Sequence, residues 1–376
     1  MHRPIRDEDP QLLLGIDLET YWDSACSVAK LGVTEYIRHP DFAIHGAAVS
    51  VGPEAARWVS GSSLPGLVLR IAAAQARGLR VYLLAHNTNF DGLVLAHKLG
   101  FVADRYIDTS AMAAAAGVMG RSLADVSAAL GIGRKDTSAL VSTKSIAKLD
   151  PAQSAALARY SENDLELARR IYVTLLPYVS EAEMEAISWT TWAAAIEPFQ
   201  ADPTTAEAVL RSSQEIEDAL VDESGLSRDT LSSSAKLAER LASRGIEVET
   251  KIGKAGPIPQ LAKTDPWMRD MLSSADHETR AALRARLALR STLVRTRGAL
   301  LLSLARHGTS FGAVLKAYGA HTGRWSGGDK LNFPNLPGPG SAAGGGELSR
   351  IIRPRPFDDQ EVWSNVSHPS ETGASS

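Results

Sequence analysis

The first half of the sequence alternates between short apolar runs and amphipathic stretches, and this alternation restricts the fold more than any other feature. Strand character occurs in QLLLGIDLE, FAIHGAAVSV, RWV and VYLLAHN. Apolar residues at helical spacing predict helices at 64–77, FDGLVLAHKL, RYIDTSAMAAAAG and SLADVSAALG, and a long helix from Asp150-Pro151 to about Pro177. The pattern predicts an α/β domain at residues 1–178, with a mixed sheet flanked by helices.

After residue 178 the chain becomes almost entirely helical in character. Ser180 and Glu183 have the spacing of a capping box, and helical periodicity continues to about residue 310. The segment KIGKAGPIPQ interrupts it and is predicted to be a loop. We therefore expect a mainly α domain at residues 179–337. Residues 338–376 lack periodicity and are predicted to form a disordered tail.

Positive charge is concentrated in one part of the chain. The net charge is −3, yet residues 236–330 hold 17 Lys/Arg and 8 Asp/Glu, a net of +9. Such a block indicates a polyanion-binding surface, although solvated Arg-rich helices would have the same composition. Arg286, Arg290 and Arg297 are predicted to share one face of a helix over residues 280–297 and to contact DNA phosphates.

Three short elements carry carboxylates in positions that suggest chemistry. Asp17 and Glu19 are two apart in a strand, so both point to the face opposite the apolar residues. Asp91 lies at a strand–helix junction, where ligand sites of α/β folds cluster. Tyr160 and Asp164 are four apart on a helix and share a face. Each element alone also fits a plainer interpretation: surface carboxylates, a helix N-cap or an exposed helix face.

Taken in this order, the three elements resemble the DEDD exonuclease family, in the subgroup that uses tyrosine. The resemblance covers residues 12–175 and implies a ribonuclease-H-like fold with 3′→5′ exonuclease activity. It implies that Asp17, Glu19, Asp91 and Asp164 bind two Mg²⁺ or Mn²⁺ ions, whose charge would offset the repulsion between four carboxylates. It also implies that Tyr160 orients the attacking water.

The same resemblance suggests residues that would hold the terminal nucleotide. Asn87 would act by hydrogen bonding and Phe90 by packing. Thr20 and Tyr21, at the end of the first strand, are weaker candidates for this role.

A second resemblance lies near the end of the helical half. YGAHTGRWSGGDKLNFPNLPG, residues 318–338, resembles the entry to the palm of family A DNA polymerases, particularly those of phage type. With the preceding helices it covers roughly residues 180–353 and implies a thumb-like domain. Pro334 and Gly338 depart from the family pattern, which has Gln and Arg there. The plainer interpretation is a Gly-rich surface loop. The resemblance implies a primer–template path lined by Thr322, Arg324, Ser326, Lys330, Asn332 and Asn335.

The end of the sequence departs from that family. The pattern requires an apolar strand carrying a metal-binding aspartate soon after Ile352, whereas here Asp358 and Asp359 follow Pro354 and Pro356. We therefore expect a polymerase truncated or frame-shifted before its palm motifs, and no polymerase activity from this chain.

The leading hypothesis is a metal-dependent exonuclease acting on single-stranded DNA 3′ ends and primer–template duplex, as the proofreading portion of a family A polymerase. A DEDD-family exoribonuclease and a non-catalytic DNA-binding fragment remain open alternatives. The single cysteine, Cys26, excludes a disulfide framework or thiolate cluster. The absence of a long apolar run or a signal peptide predicts no membrane association and a cytoplasmic location, in the nucleoid or in a host cell if the gene is of phage origin.

Overall fold

The computed structural model describes residues 10–135, 143–253, 256–306, 310–320, 322–329, 331, 333, 336 and 348–355. The chain divides into two compact units. Unit 1 comprises residues 1–199, 310–335 and 354–376, and unit 2 comprises residues 200–309 and 336–353. No helix in the described ranges has both the length and the apolar character needed to cross a membrane.

Unit 1 is built on a five-stranded mixed sheet in the order β3-β2-β1-β4-β5. Strand β1 pairs antiparallel with β2 and parallel with β4, and β4 pairs parallel with β5. The prediction of a mixed sheet flanked by helices is therefore confirmed. The elements up to residue 195 are β1 Gln11–Thr20, α1 Val28–Leu31, α2 Val33–Arg38, β2 Ile44–Val51, β3 Arg57–Ser60, α3 Leu64–Ala76, β4 Arg80–Ala85, α4 Thr88–Leu99, β5 Arg105–Asp108, α5 Thr109–Ala115, α6 Leu123–Ala129, α7 Pro151–Leu175 and α8 Glu181–Ala195.

Helices cover both faces of this sheet because its strands are apolar on both sides. Leu14, Ile16 and Leu18 of β1 belong to a core shared with α3 and α4. Helix α7 packs on the other face, where Gly15 allows close approach. A Cβ atom at Gly15 would lie 2.4 Å from Ser50 Oγ and 3.1 Å from Leu165 Cδ1. The long helix is therefore held directly against β1, beside Asp17.

The segment beginning at Arg105 forms a strand before it forms a helix, so the prediction of continuous helix from RYID onward is wrong. Tyr106 and Ile107 are fully buried and pair in parallel with Leu83 and Leu84. Burial beside β4 favours the extended conformation for this Tyr-Ile pair. The helix begins only at Thr109, where the Asp108 side chain accepts hydrogen bonds from the backbone N–H groups of residues 110 and 111.

Residues 310–335 belong to unit 1, although the sequence suggested that they continue the helical domain. Asn89 Nδ2 donates to Leu315 O at 2.7 Å, and Arg121 Nη1 donates to Ala317 O at 2.9 Å. The Thr34 N–H donates to the Asp329 carboxylate at 3.0 Å. Within the segment, Leu315–Lys316 (β9) and Ser326–Gly327 (β10) form a short antiparallel pair.

Unit 2 is mainly helical, with an apolar core that includes Leu231, Leu237, Trp267 and Leu283. The segment predicted to be a loop is instead an antiparallel pair of strands, Thr250–Gly253 with Gly256–Pro259. The elements from residue 199 to 306 are β6 Phe199–Ala201, α9 Pro203–Ser224, α10 Arg228–Ser232, α11 Ser234–Ala242, β7 Thr250–Gly253, β8 Gly256–Pro259, α12 Pro266–Ser274, α13 His277–Arg290 and α14 Leu293–Arg306. The later elements are α15 Leu348–Ile351 and β11 Ile352–Pro354.

Candidate active site

Strand β1 presents Asp17 and Glu19 on the face opposite its buried apolar residues, as the period of two predicts. The pairing of β1 with β2 shifts register between Glu19 and Thr20. Such irregularities redirect side chains at the end of a strand and often adjoin functional sites. Because β1 and β4 are parallel, the two carboxylates lie at the end of the sheet where the C-terminal ends of both strands meet. This end is called the sheet edge below.

Helix α7 brings Tyr160 and Asp164 to the same edge. Only 5% of Tyr160 and 2% of Asp164 is exposed, so the interpretation of this pair as an exposed helix face is wrong. Ser161 fixes the helix to the sheet: its Oγ donates to Asp17 O at 2.9 Å and accepts from Ala48 N at 3.0 Å. The sequence pattern assigns no role to Ser161, although its place next to Tyr160 was a signal.

Asp91 reaches the site from the first turn of α4. The helix begins at Thr88, not near Phe90 as expected, so Asp91 is not the N-cap. Its Oδ1 accepts a hydrogen bond from the Leu18 N–H at 3.0 Å, which ties α4 to β1 between Asp17 and Glu19. The interpretation of Asp91 as a helix cap is therefore wrong.

Burial raises the pKa of all four carboxyl groups, and neighbouring carboxylates add to the rise at Asp17, Glu19 and Asp91. Burial, followed by the charge of Asp164, raises the pKa of Asp17 to about 7. Burial and then the charge of Asp17 raise the pKa values of Glu19 and Asp91 well above their usual range. Burial also raises the pKa of Asp164, against the opposing effect of Lys135. In the metal-free site, the negative charge of the ionised carboxylates is therefore not balanced by positive charge.

Lys135 supplies one positive charge that the sequence pattern does not predict. Its Nζ lies 2.6 Å from Asp164 Oδ2 and 5.1 Å from the centroid of the Tyr160 ring. Nothing in the local pattern around Gly133-Arg134-Lys135 marks this contact, because its partner is on a different element. The sequence signal was limited to a basic residue after a helix.

The donor set fits a hard divalent cation. Asp17 Oδ2 and Asp164 Oδ1 are buried and accept no hydrogen bond from the described part of the chain. Carboxylate oxygens of this kind are what Mg²⁺ and Mn²⁺ prefer. Within the described ranges, no three acidic, imidazole or thiol side chains already converge on one metal position. The carboxylates are assembled at one edge but are not in a fully coordinating arrangement.

Tyr160 is suited to donate a hydrogen bond and not to accept a proton. Burial raises its pKa far above the usual range, and the charges of Asp164 and Glu19 raise it further. The phenol therefore stays protonated at any physiological pH.

The residues expected to hold a nucleotide differ in their exposure. Asn87 is exposed in a left-handed conformation (φ 76°) immediately before α4. Phe90 is half-buried, stacked on Tyr36 with ring centroids 6.2 Å apart. Thr20 Oγ1 is 2.7 Å from Tyr36 Oη, and Tyr21 Oη donates to Asp23 at 2.7 Å.

Asp108 shapes the turn that carries Asn87. The sequence pattern did not predict this role. Its carboxylate accepts from the N–H groups of Asn87 at 3.1 Å and Thr88 at 3.0 Å, besides capping α5. Beside it, burial lowers the pKa of His86, and the ring lies 2.9 Å from both Thr109 Oγ1 and Arg121 O. An Asp directly before Thr-Ser was a usable capping signal.

The arginines expected on one DNA-binding helix face are separated by a break. Helix α13 ends at Arg290 and α14 begins at Leu293, so the prediction of one helix over 280–297 is wrong. Arg286 is 4% exposed, Arg297 is half-buried and Arg290 is exposed. Arg286 is therefore not on a phosphate-facing surface, contrary to expectation.

The residues expected along the primer–template path lie within residues 310–335, which belong to unit 1. Thr322 and Arg324 are exposed, and Ser326 is half-buried in β10. Lys330, Asn332 and Asn335 lie outside the described residues.

Replacing Asp17 with Asn is expected to stabilise the metal-free protein at pH 8 much more than at pH 5. Asp17 has a pKa of about 7 in the fold against an ordinary value of 3.8, so between these values the folded state retains a proton that the unfolded state loses. Stability therefore falls as pH rises through this window. At pH 8 the gain should reach up to about 4 kcal/mol. Thermal unfolding in EDTA at both pH values measures it, and a variant that is less stable at both would contradict the prediction.

Comparison with known proteins finds similarity in structure only. No family model matches the chain, and no curated protein matches it. One solved structure that it resembles is the POL domain of Pol1 from M. smegmatis, in complex with DNA primer–template and dNTP, with 16% sequence identity and a TM-score of 0.56. The alignment covers 92% of this chain but 55% of that one, so the chain spans about half the length of the polymerase domain. The likeness establishes a polymerase-like fold.

Proposed function

We propose that this chain is a metal-dependent 3′→5′ exonuclease that acts on DNA ends, with a ribonuclease-H-like catalytic domain at residues 1–178. The observation that carries the proposal is the grouping of the half-buried Asp17 and Glu19 with the buried Asp91, Asp164 and Tyr160 at the ends of β1 and β4. Clustering four acidic side chains is unfavourable unless cations are bound between them, so a purely structural role does not account for it.

Each group has a role that follows from its surroundings. The four carboxylates would hold two divalent ions, which supply Lewis acidity and an activated water when bound. Tyr160 would donate its hydroxyl proton in a hydrogen bond to orient that water, since its pKa is too high for a general base. Asn87 would offer its exposed side-chain amide to the terminal nucleotide.

DNA is the proposed substrate for two reasons. The fold resembles a polymerase domain solved with primer–template, and residues 236–330 carry a net charge of +9. We further propose that the helical domain and the exposed Thr322 and Arg324 contact the duplex, with Ser326, Arg290 and Arg297 as additional candidates. Arg286 is left out because it is buried. The chain would then be the proofreading part of a family A polymerase.

Purified protein is expected to shorten 5′-labelled single-stranded DNA from its 3′ end in Mg²⁺ or Mn²⁺, and not in EDTA. The physical reason is that the carboxylates cannot activate water without the cations. A gel ladder from DNA and RNA oligonucleotides of one sequence provides the measurement, with a 3′-terminal phosphorothioate linkage to confirm polarity. Preferential shortening of RNA would favour the exoribonuclease alternative, and no shortening of either by a folded sample would favour a non-catalytic fragment.

A further inference from the structure

The Lys135 ammonium pairs with the carboxylate of Asp164, which the proposed function assigns to metal binding. Its Nζ is 2.6 Å from Asp164 Oδ2, while the other oxygen, Oδ1, is buried without a donor among the described residues. The Lys135 ammonium also faces the Tyr160 ring at 5.1 Å. Asp164 is 2% exposed, so the contact lies where solvent screens charges weakly.

We propose that Lys135 is a built-in counter-ion which competes with a divalent metal for the charge of Asp164, and that it thereby lowers the metal affinity of the DNA-free site. This inference rests on the proposed exonuclease function. The geometry supports it because the Lys135 ammonium neutralises part of the Asp164 charge and repels a cation placed on either oxygen of that carboxylate.

The charge balance indicates when metal binding becomes favourable despite this competition. Four ionised carboxylates carry −4, two divalent ions carry +4, and Lys135 adds +1. The excess is offset by the single negative charge of a phosphodiester group at the site. Lys135 thus makes metal binding and DNA binding favour each other, so that the site is fully loaded with metal only when a DNA end is present.

Lys135→Met tests the proposal because it keeps the length of the side chain and removes its charge. Mn²⁺ affinity measured by calorimetry or electron paramagnetic resonance, without DNA, is expected to rise about tenfold or more, a size consistent with one close charge in a partly buried site. Lys135→Arg should remain near the wild type. Lys144→Met is the matched control, since exposed Lys144 lies over Trp22.

A second measurement repeats the titration with a phosphorothioate oligonucleotide that resists cleavage. DNA should increase Mn²⁺ affinity more in the wild type than in Lys135→Met. Unchanged or weaker Mn²⁺ binding by Lys135→Met, with normal binding by the wild type, would overturn the proposal and leave the exonuclease intact. A lower melting temperature in EDTA with no gain in metal affinity would reduce Lys135 to a structural contact. Failure of Mn²⁺ to bind the wild type even with the oligonucleotide present would overturn both the proposal and the function on which it rests.

Discussion

Replacing Asp164 or Asp17 with Asn is expected to reduce 3′→5′ exonuclease activity at least about a thousandfold, equivalent to roughly 4 kcal/mol of transition-state stabilisation. Either change removes a negatively charged oxygen from a buried site whose other members are also carboxylates. The amide cannot replace the charge, so cation binding weakens where charge develops in the reaction. Rates are measured by single-turnover cleavage of a labelled oligonucleotide at saturating Mg²⁺.

The control for this experiment lies on the same helix. Glu166 is two residues from Asp164 but exposed, and it pairs with Arg169 at 3.2 Å. Glu166→Gln should leave the rate within about twofold, because surface charges contribute little. Asp17→Asn is the better variant for checking the fold, since Asp164→Asn also deprives Lys135 of its partner. Retention of more than a tenth of the activity by both Asn variants would contradict the assignment.

Replacing Arg286 with Met is expected to destabilise unit 2 by roughly 2–4 kcal/mol, because a buried acceptor left without its donor costs about 1–3 kcal/mol. Arg286 Nη1 donates to Leu231 O at 2.7 Å and Nη2 donates to Ser234 Oγ at 2.6 Å. Nη1 also lies 3.3 Å from Ser232 O. The guanidinium thus holds α13 to the connection between α10 and α11, and without it these oxygens lose their donor.

Arg290→Met serves as the comparison because Arg290 is exposed on the same helix, one turn away. Its effect on stability should stay within about 0.5 kcal/mol. Amide hydrogen exchange on the full chain localises the difference, with faster exchange expected in α10, α11 and α13 of the Arg286 variant. If the two variants behave alike, Arg286 is not the internal contact described.

The sequence by itself determined features that depend on near neighbours along the chain. Strand periodicity put Asp17 and Glu19 on one face, and helical spacing put Tyr160 with Asp164. Ser180 with Glu183 forms the capping box that its spacing predicted. These predictions succeed because the side-chain directions and hydrogen bonds involved are set within one helical turn or one strand.

The tertiary structure decided where each element is buried and what it meets. It made a strand of RYID, because pairing with β4 outweighs local helical preference. It turned Arg286 inward to backbone carbonyls, although its spacing is that of a surface residue. It brought Lys135 to Asp164 across 29 positions of sequence, a contact that no local pattern encodes. Carboxylates can be located by spacing along the chain, whereas the cation that balances them is selected only when the chain folds back on itself.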